Sequence, residues 1–407
     1  MGARFGFAGF MMAPASKSEA IHHIAIIQPQ GFEGLKQEVL MGVSRFNQIA
    51  LLPALLGLSA CSQSGESADF SDADIAAYAQ MFETAEVLDG PKLVPCTLSG
   101  GTETQCISIT TVAAPTQHAQ GPWCPLTINS GADEGGTWVK DGKIYSVDGK
   151  FIENLAEFYE DPQWQMFDPE TGRVNAVRDE LGCEVAGEPD SAEDYMNHCV
   201  ECYQKFMAEQ ASQTFIIPIN PVLDAAGSDR MNPNTSIGLA LNGVKFDAPA
   251  PLHLILGGHT LGPFDACGGH VNPLVGYHYH EVMGCEPAQS IAANGHAQLI
   301  GLAMDGHQIF SNAAADGSNA ADLDQCGGHE TGDLDYHYHA AQAGSNQILS
   351  CFVGEVGCSQ DDPDAICDAS AVTRGPPGGG GQGGPPRDGG PPRDGGQTSD
   401  GPPPGSE

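Results

Sequence analysis

CGGHVNPLVGYHYH, residues 267–280, and CGGHETGDLDYHYH, residues 326–339, are two copies of one pattern, with the same ten-residue step from cysteine to first tyrosine. Alternate side chains of a strand share a face, so His278 and His280 project to one side, about 7 Å apart at their Cα atoms, while Tyr277 and Tyr279 project to the other. His337 and His339, with Tyr336 and Tyr338, repeat the arrangement. Two glycines before His270 permit a sharp turn that swings its side chain back as a third imidazole, and His329 stands in the same place in the second copy. Upstream, IGLALNGVKF from Ile237 matches IGLAMDGHQIF from Ile300, each with a turn pair, Asn242-Gly243 or Asp305-Gly306, between apolar alternations. Each unit, about 235–290 and 298–352, reads as a hairpin, a variable loop, a CGGH turn and a YHYH strand, closed by Cys285 or Cys351. The expected fold is β-rich α+β, disulfide-braced, with a duplicated pseudo-symmetric β module in the second half.

Three convergent imidazoles are a transition-metal ligand set, and nitrogen donors without free thiolates point to copper or zinc. The candidate ligands are His270, His278 and His280, then His329, His337 and His339, forming one shared site or two. Around them, Tyr277, Tyr279, Tyr336 and Tyr338 anchor the strands, and Glu281, Asp333 and Asp335 are carboxylates within reach as outer partners or as acid and base. Ten of the fourteen histidines lie between 253 and 339, including His253, His259, His296 and His307. A lone strand histidine is ordinarily a satisfied core or surface residue; it is the repeat at fixed spacing that favours metal. The competing reading is a hydrogen-bonded Tyr/His core or a polar cleft for a small molecule or glycan. Function classes that remain open are a zinc hydrolase or lyase, a copper oxidoreductase, and a non-catalytic binding or structural module.

The chain has 407 residues, 52 acidic against 16 basic, a formal charge of −36 and 13 cysteines. Such acidity excludes a phosphate-neutralising surface, so no nucleic-acid partner is expected. Residues 45–61, RFNQIALLPALLGLSAC, join a basic residue to a short apolar core and small residues before Cys61. This resembles a bacterial lipoprotein signal, with translation from Met41 (residues 1–40 untranslated), cleavage after residue 60, Cys61 acylated and Ser62 implying outer-membrane retention. The chain is thus expected to be exported to the cell envelope and to reach the membrane through a lipid anchor. A tether (61–72), an N-terminal mixed α/β part (73–212), the duplicated domain (213–372) and a Pro/Gly-rich tail (374–407) follow.

Removing Cys61 leaves an even set for disulfides: Cys96, Cys106, Cys124, Cys183, Cys199, Cys202, Cys267, Cys285, Cys326, Cys351, Cys358 and Cys367. Cys96 and Cys106 flank a Ser-Gly-Gly turn and suit a bridge across a hairpin. The CxxC of NHCVEC (197–202) lacks a redox context and reads as structural, with Cys124 and Cys183 as partners, while Cys267 and Cys326 brace their turns through Cys285 and Cys351. FIENLAEFYEDPQWQMF, from Phe151, has helical spacing ending at Asp161-Pro162, and TWVKDGKIYSVDG reads as a β hairpin.

The paired CGGH and YHYH motifs, with GLALNG and GLAMDG, resemble the bacterial YHYH proteins, and the likeness extends upstream through NHCVEC. That resemblance implies an exported domain and supplies no substrate, so the functional expectation rests on the histidines.

Overall fold

The computed structural model describes residues 72–186, 195–206, 211–225, 229–230, 236–273, 275–291, 296–314, 316–332 and 334–371. Contacts divide the chain into Met1–Gly65 and Glu66–Glu407, and every described residue lies in the latter. The expected signal segment, Cys61, most of the tether, Asp333 and the Pro/Gly tail lie outside the described residues.

Helix α1 (Asp72–Met81) leads into the hairpin β1 (Val87–Thr97) and β2 (Glu103–Val112), closed by the Cys96–Cys106 disulfide. A smaller hairpin, β3 (Thr137–Lys140) and β4 (Lys143–Ser146), turns at Asp141-Gly142, both at positive φ (53° and 71°). The single helix expected from Phe151 to Asp161 is instead two short pieces, α2 (Gly149–Glu153) and α3 (Leu155–Phe158). The break falls at Asn154, whose φ of −102° and ψ of 12° leave helical geometry; its side-chain amide also meets the Lys150 carbonyl (2.8 Å), while Asp148 caps the first piece through the Phe151 N–H (2.7 Å). Next come β5 (Ala176–Val177), α4 (Glu180–Ala186) and β6 (Cys199–Val200), stapled by Cys124–Cys199 and Cys183–Cys202.

The second half contributes β7 (Ser212–Pro218), β8 (Asp229–Arg230), β9 (Gly238–Ala240), β10 (Lys245–Phe246), α5 (Leu252–Gly257), β11 (Gly269–Asn272) and β12 (Gly276–Tyr279). It continues with β13 (Leu299–Ala303), β14 (Gln308–Phe310), β15 (Gly328–Thr331), β16 (Leu334–His339), β17 (Cys351–Phe352) and β18 (Cys358–Gln360). Two sheets dominate: one of four strands, β1-β2-β7-β18, and one of eight, β11-β12-β10-β9-β13-β14-β16-β15. The second order reads alike from either end: hairpin strands at the centre, YHYH strands next, CGGH strands at the edges. At the central pair a Cβ on Gly238 would come 2.1 Å from the Leu302 carbonyl oxygen, and one on Gly301 would come 2.4 Å from that of Leu239. The repeated IGLA therefore needs its glycine for close backbone approach.

One core joins the sheets: Ile107, Ile109, Phe215 and Ile217 of the smaller pack with Leu239, Phe246, Tyr277, Tyr279, Ile309 and Tyr338 of the larger. The tyrosine face of each YHYH strand thus turns inward, each buried ring contributing roughly 1.5–3 kcal/mol, and strand alternation leaves the imidazoles on the opposite face. The remaining disulfides are Cys267–Cys285, Cys326–Cys351 and Cys358–Cys367. Among the described residues no helix is long and apolar enough to cross a membrane.

Candidate metal centres

Each CGGH turn is organised by an aspartate two residues before the cysteine. Asp265 accepts the N–H groups of Cys267 (2.9 Å) and Gly269 (3.2 Å), and the Tyr277 hydroxyl donates to its carboxylate (2.9 and 3.0 Å). Asp324 accepts from Cys326 (2.8 Å), Gly328 (3.0 Å) and the Tyr336 hydroxyl (2.9 Å) in the same way. The two glycines differ in purpose. Gly268 and Gly327 hold φ of 83° and 84°, which L side chains rarely adopt, whereas a Cβ on Gly269 or Gly328 would strike the tyrosine hydroxyl at 2.5 or 2.1 Å. With the following disulfide, this turn aims His270, or His329, at the histidines of the adjoining strand, with which it is in register: His270 opposite His278, His329 opposite His337.

In the first centre His278 Nδ1 lies 3.1 Å from the Gly276 carbonyl and His280 Nδ1 2.6 Å from that of Ala248, and His270 is held by the backbone of Gly262 and Pro263. A carbonyl only accepts, so His278 and His280 carry their proton on Nδ1 and present a bare Nε2 lone pair inward. The inward nitrogens lie 3.1 Å (His278 to His280) and 3.2 Å (His280 to His270) apart. Neither His278 nor His280 has a proton left to share between them.

The second centre repeats the scheme. Nδ1 of His337 meets the Asp335 carbonyl (2.7 Å), that of His339 the Ser311 carbonyl (3.0 Å), and that of His329 the Ala321 carbonyl (3.0 Å). A fourth imidazole joins: His296 Nδ1 faces the Ala297 carbonyl (3.0 Å) and its Nε2 lies 3.2 Å from that of His337, while His339 and His329 are also 3.2 Å apart. All four ligand atoms here, and all three in the first centre, lie within 4.8 Å of one another. A cavity of about 240 Å³, lined by His296, His329 and His339 with the 318–321 loop, opens onto the second centre.

Burial, then repulsion from His280, lowers His270 to about 3; burial, then the neighbouring imidazoles, takes His278 well below its ordinary value. Burial likewise lowers His280 and His337, and lowers His339 to about 4. A shared proton is therefore a poor way to relieve the facing lone pairs, whereas a metal cation relieves them directly. The two clusters sit on β12 and β16, five strand spacings apart in the sheet, or roughly 24 Å.

The tyrosines take the face that strand alternation predicts, so their side chains are not outer partners of the imidazoles, and Glu281 and Asp335 are engaged elsewhere. All four tyrosines are on the opposite face: Tyr277 and Tyr336 hold the turn aspartates, Tyr279 meets Asn242 (3.0 Å) and His118 (2.7 Å), and Tyr338 donates to Asp305 (2.6 Å). Glu281 is buried and takes the N–H groups of Gly344 (2.8 Å) and Asn346, fastening the first unit to the loop after the second YHYH strand. Asp335 contributes its backbone carbonyl, its side chain being exposed. Of the other histidines, His259 pairs with Asp161 (2.7 Å) and His307 meets the Tyr336 carbonyl (3.1 Å) on the tyrosine face, and neither joins a cluster. Three contributors escape the motif reading: His296, which has no counterpart in the first unit, and Asp265 and Asp324, for which the extended pattern D-x-C-G-G-H is the available signal.

The family described as YHYH protein matches residues 214–322. This YHYH domain takes in the first CGGH and YHYH copy, both hairpins and His296, and stops before the second copy; NHCVEC also lies outside it, a narrower span than the motifs suggest. No curated protein and no solved structure matches the chain.

Proposed function

We propose that the chain is a metal-binding protein of the bacterial cell envelope, anchored by lipid at Cys61 and built on a duplicated module that holds two separate transition-metal ions, copper or zinc. The observation that carries the reading is the convergence of bare Nε2 atoms whose Nδ1 protons are tied up on backbone carbonyls. A tetrahedral ion with metal–nitrogen bonds of about 2.05 Å places its ligand nitrogens about 3.3 Å apart, close to the 3.1–3.2 Å contacts present. The carbonyls are the outer partners that such ligands need to fix their tautomer. Burial lowers His270, His278, His280, His337 and His339, so an ion binds these imidazoles without first expelling a proton.

Metal content of the full chain, purified from membranes without added metal and after chelation and reloading, tests this. Two ions per chain are expected, one lost in H278A/H280A and the other in H337A/H339A. Absence of tight, stoichiometric metal would refute the reading. The anchor is tested separately: C61S should abolish labelling by radioactive palmitate and release the protein from membranes, and unchanged labelling would remove Cys61 as the acylation site.

A further inference from the structure

The two centres differ in the number of imidazoles and in what lies beside them. His296 supplies the fourth nitrogen of the second centre and stands four residues before the IGLA of its strand. Aligning the two IGLA segments puts Pro233 at that place in the first unit, and proline offers no ligand atom. Among the described residues no other His, Cys, Asp or Glu joins His270, His278 and His280.

The neighbouring strand differs as well. Lys245 is in register with His278, so it occupies the imidazole face, and its ammonium pairs with Asp247 at 2.9 Å with both groups largely buried. The same two positions in the second unit are Gln308 and Phe310, and the Phe310 ring lies on His337 (4.7 Å between centroids) and His296 (4.9 Å). Both centres have a phenylalanine against the imidazoles, Phe264 in the first (5.3 Å from His270 and 5.4 Å from His280) and Phe310 in the second, so the difference is three nitrogens beside a buried ion pair against four nitrogens without one.

Resting on the metal reading above, we infer that the centres are not equivalent: the His296 centre is filled by four imidazoles, and the His270 centre keeps one position for a small exogenous donor such as water, hydroxide or azide. Three imidazoles leave a tetrahedral ion one vertex short, which is the condition for activating water or binding an anion. Lys245 is a positioning residue: held by Asp247, its ammonium is a charged donor on the face where a ligand oxygen or nitrogen would sit. The cavity at the His296 centre gives its ion a route in, while four nitrogens complete the ion's shell.

Cobalt(II)-loaded full chain titrated with azide, followed by visible absorption, tests the inference. One of two bound cobalt ions should respond. The response should persist in full in H329A/H339A, vanish in H278A/H280A, and double in H296A, where a second vertex is opened. K245M should weaken azide about tenfold at unchanged cobalt content, with K245R restoring it. Two bound cobalt ions that ignore azide, or a response surviving in H278A/H280A, would overturn the inference alone; failure to bind cobalt at all would overturn the metal reading with it.

Discussion

Replacing Gly269 with alanine separates the part of the CGGH turn set by space from the part set by backbone conformation. The added Cβ would lie 2.5 Å from both the hydroxyl oxygen and the adjacent ring carbon of Tyr277, and 2.7 Å from the His278 carbonyl oxygen. Tyr277 is fully buried and its hydroxyl is committed to Asp265, itself buried, so the ring has nowhere to retreat. Overpacking costs about 1–3 kcal/mol, and loosening a hydrogen bond to a buried carboxylate adds roughly 1.5–3 kcal/mol. G269A is therefore expected to lose about 3–5 kcal/mol in urea unfolding with disulfides intact. G328A is the control. Its Cβ would meet the Tyr336 hydroxyl at 2.1 Å, nominally a harder clash, but Tyr336 is only half-buried and its partner Asp324 is exposed. That hydroxyl can swing to water, and a loss of about 1–2 kcal/mol is expected. A cost below about 1 kcal/mol for G269A, or an equal or larger one for G328A, would show that the buried Tyr277 ring can yield.

Burial pushes the Glu286 carboxyl up to about 7 despite the N–H groups of Met283 and Gly284 that it accepts. The folded state then holds a proton that the unfolded chain has released, so this group's contribution is complete below about pH 4.5 and is lost as pH rises through 7, by about 3 kcal/mol. Wild type minus E286Q in stability should fall by that order between pH 4.5 and 8, and a flat difference would contradict the burial. Among the disulfides, Cys124–Cys199 spans 75 residues and Cys358–Cys367 spans 9. Chain entropy gives about 4–5 kcal/mol for C124S/C199S against about 2–3 kcal/mol for C358S/C367S, so the reverse order in guanidinium unfolding would disprove an entropic origin.

Motif spacing made the strand faces legible because period-two alternation is a property of neighbours: the two histidines of each YHYH run, and the tyrosines opposite, follow from it directly. The turns were legible through Gly-Gly, and the Cys96–Cys106 hairpin through its Ser-Gly-Gly. What depends on distant contacts was not. His296 reaches its partners from before β13, and nothing in its own neighbourhood, NGHAQ, marks it as a member of the cluster. The role of Glu281 is fixed by a loop more than sixty residues away, so adjacency to His280 misleads. The same alternation sends the tyrosine rings into the core between the sheets, away from the outer-partner role that their adjacency to the histidines suggests. The 151–161 helix is interrupted by the backbone conformation of one residue, Asn154, which apolar periodicity does not register.

In the proposed reading the histidines hold two ions on opposite wings of one sheet. Anomalous diffraction from crystals of the metal-loaded chain, collected across the absorption edge of the bound element, locates them. Two peaks are expected, one among His270, His278 and His280 and the other among His296, His329, His337 and His339, separated by roughly 24 Å. No peak at either cluster, or a single ion bridging residues of both, would contradict that reading.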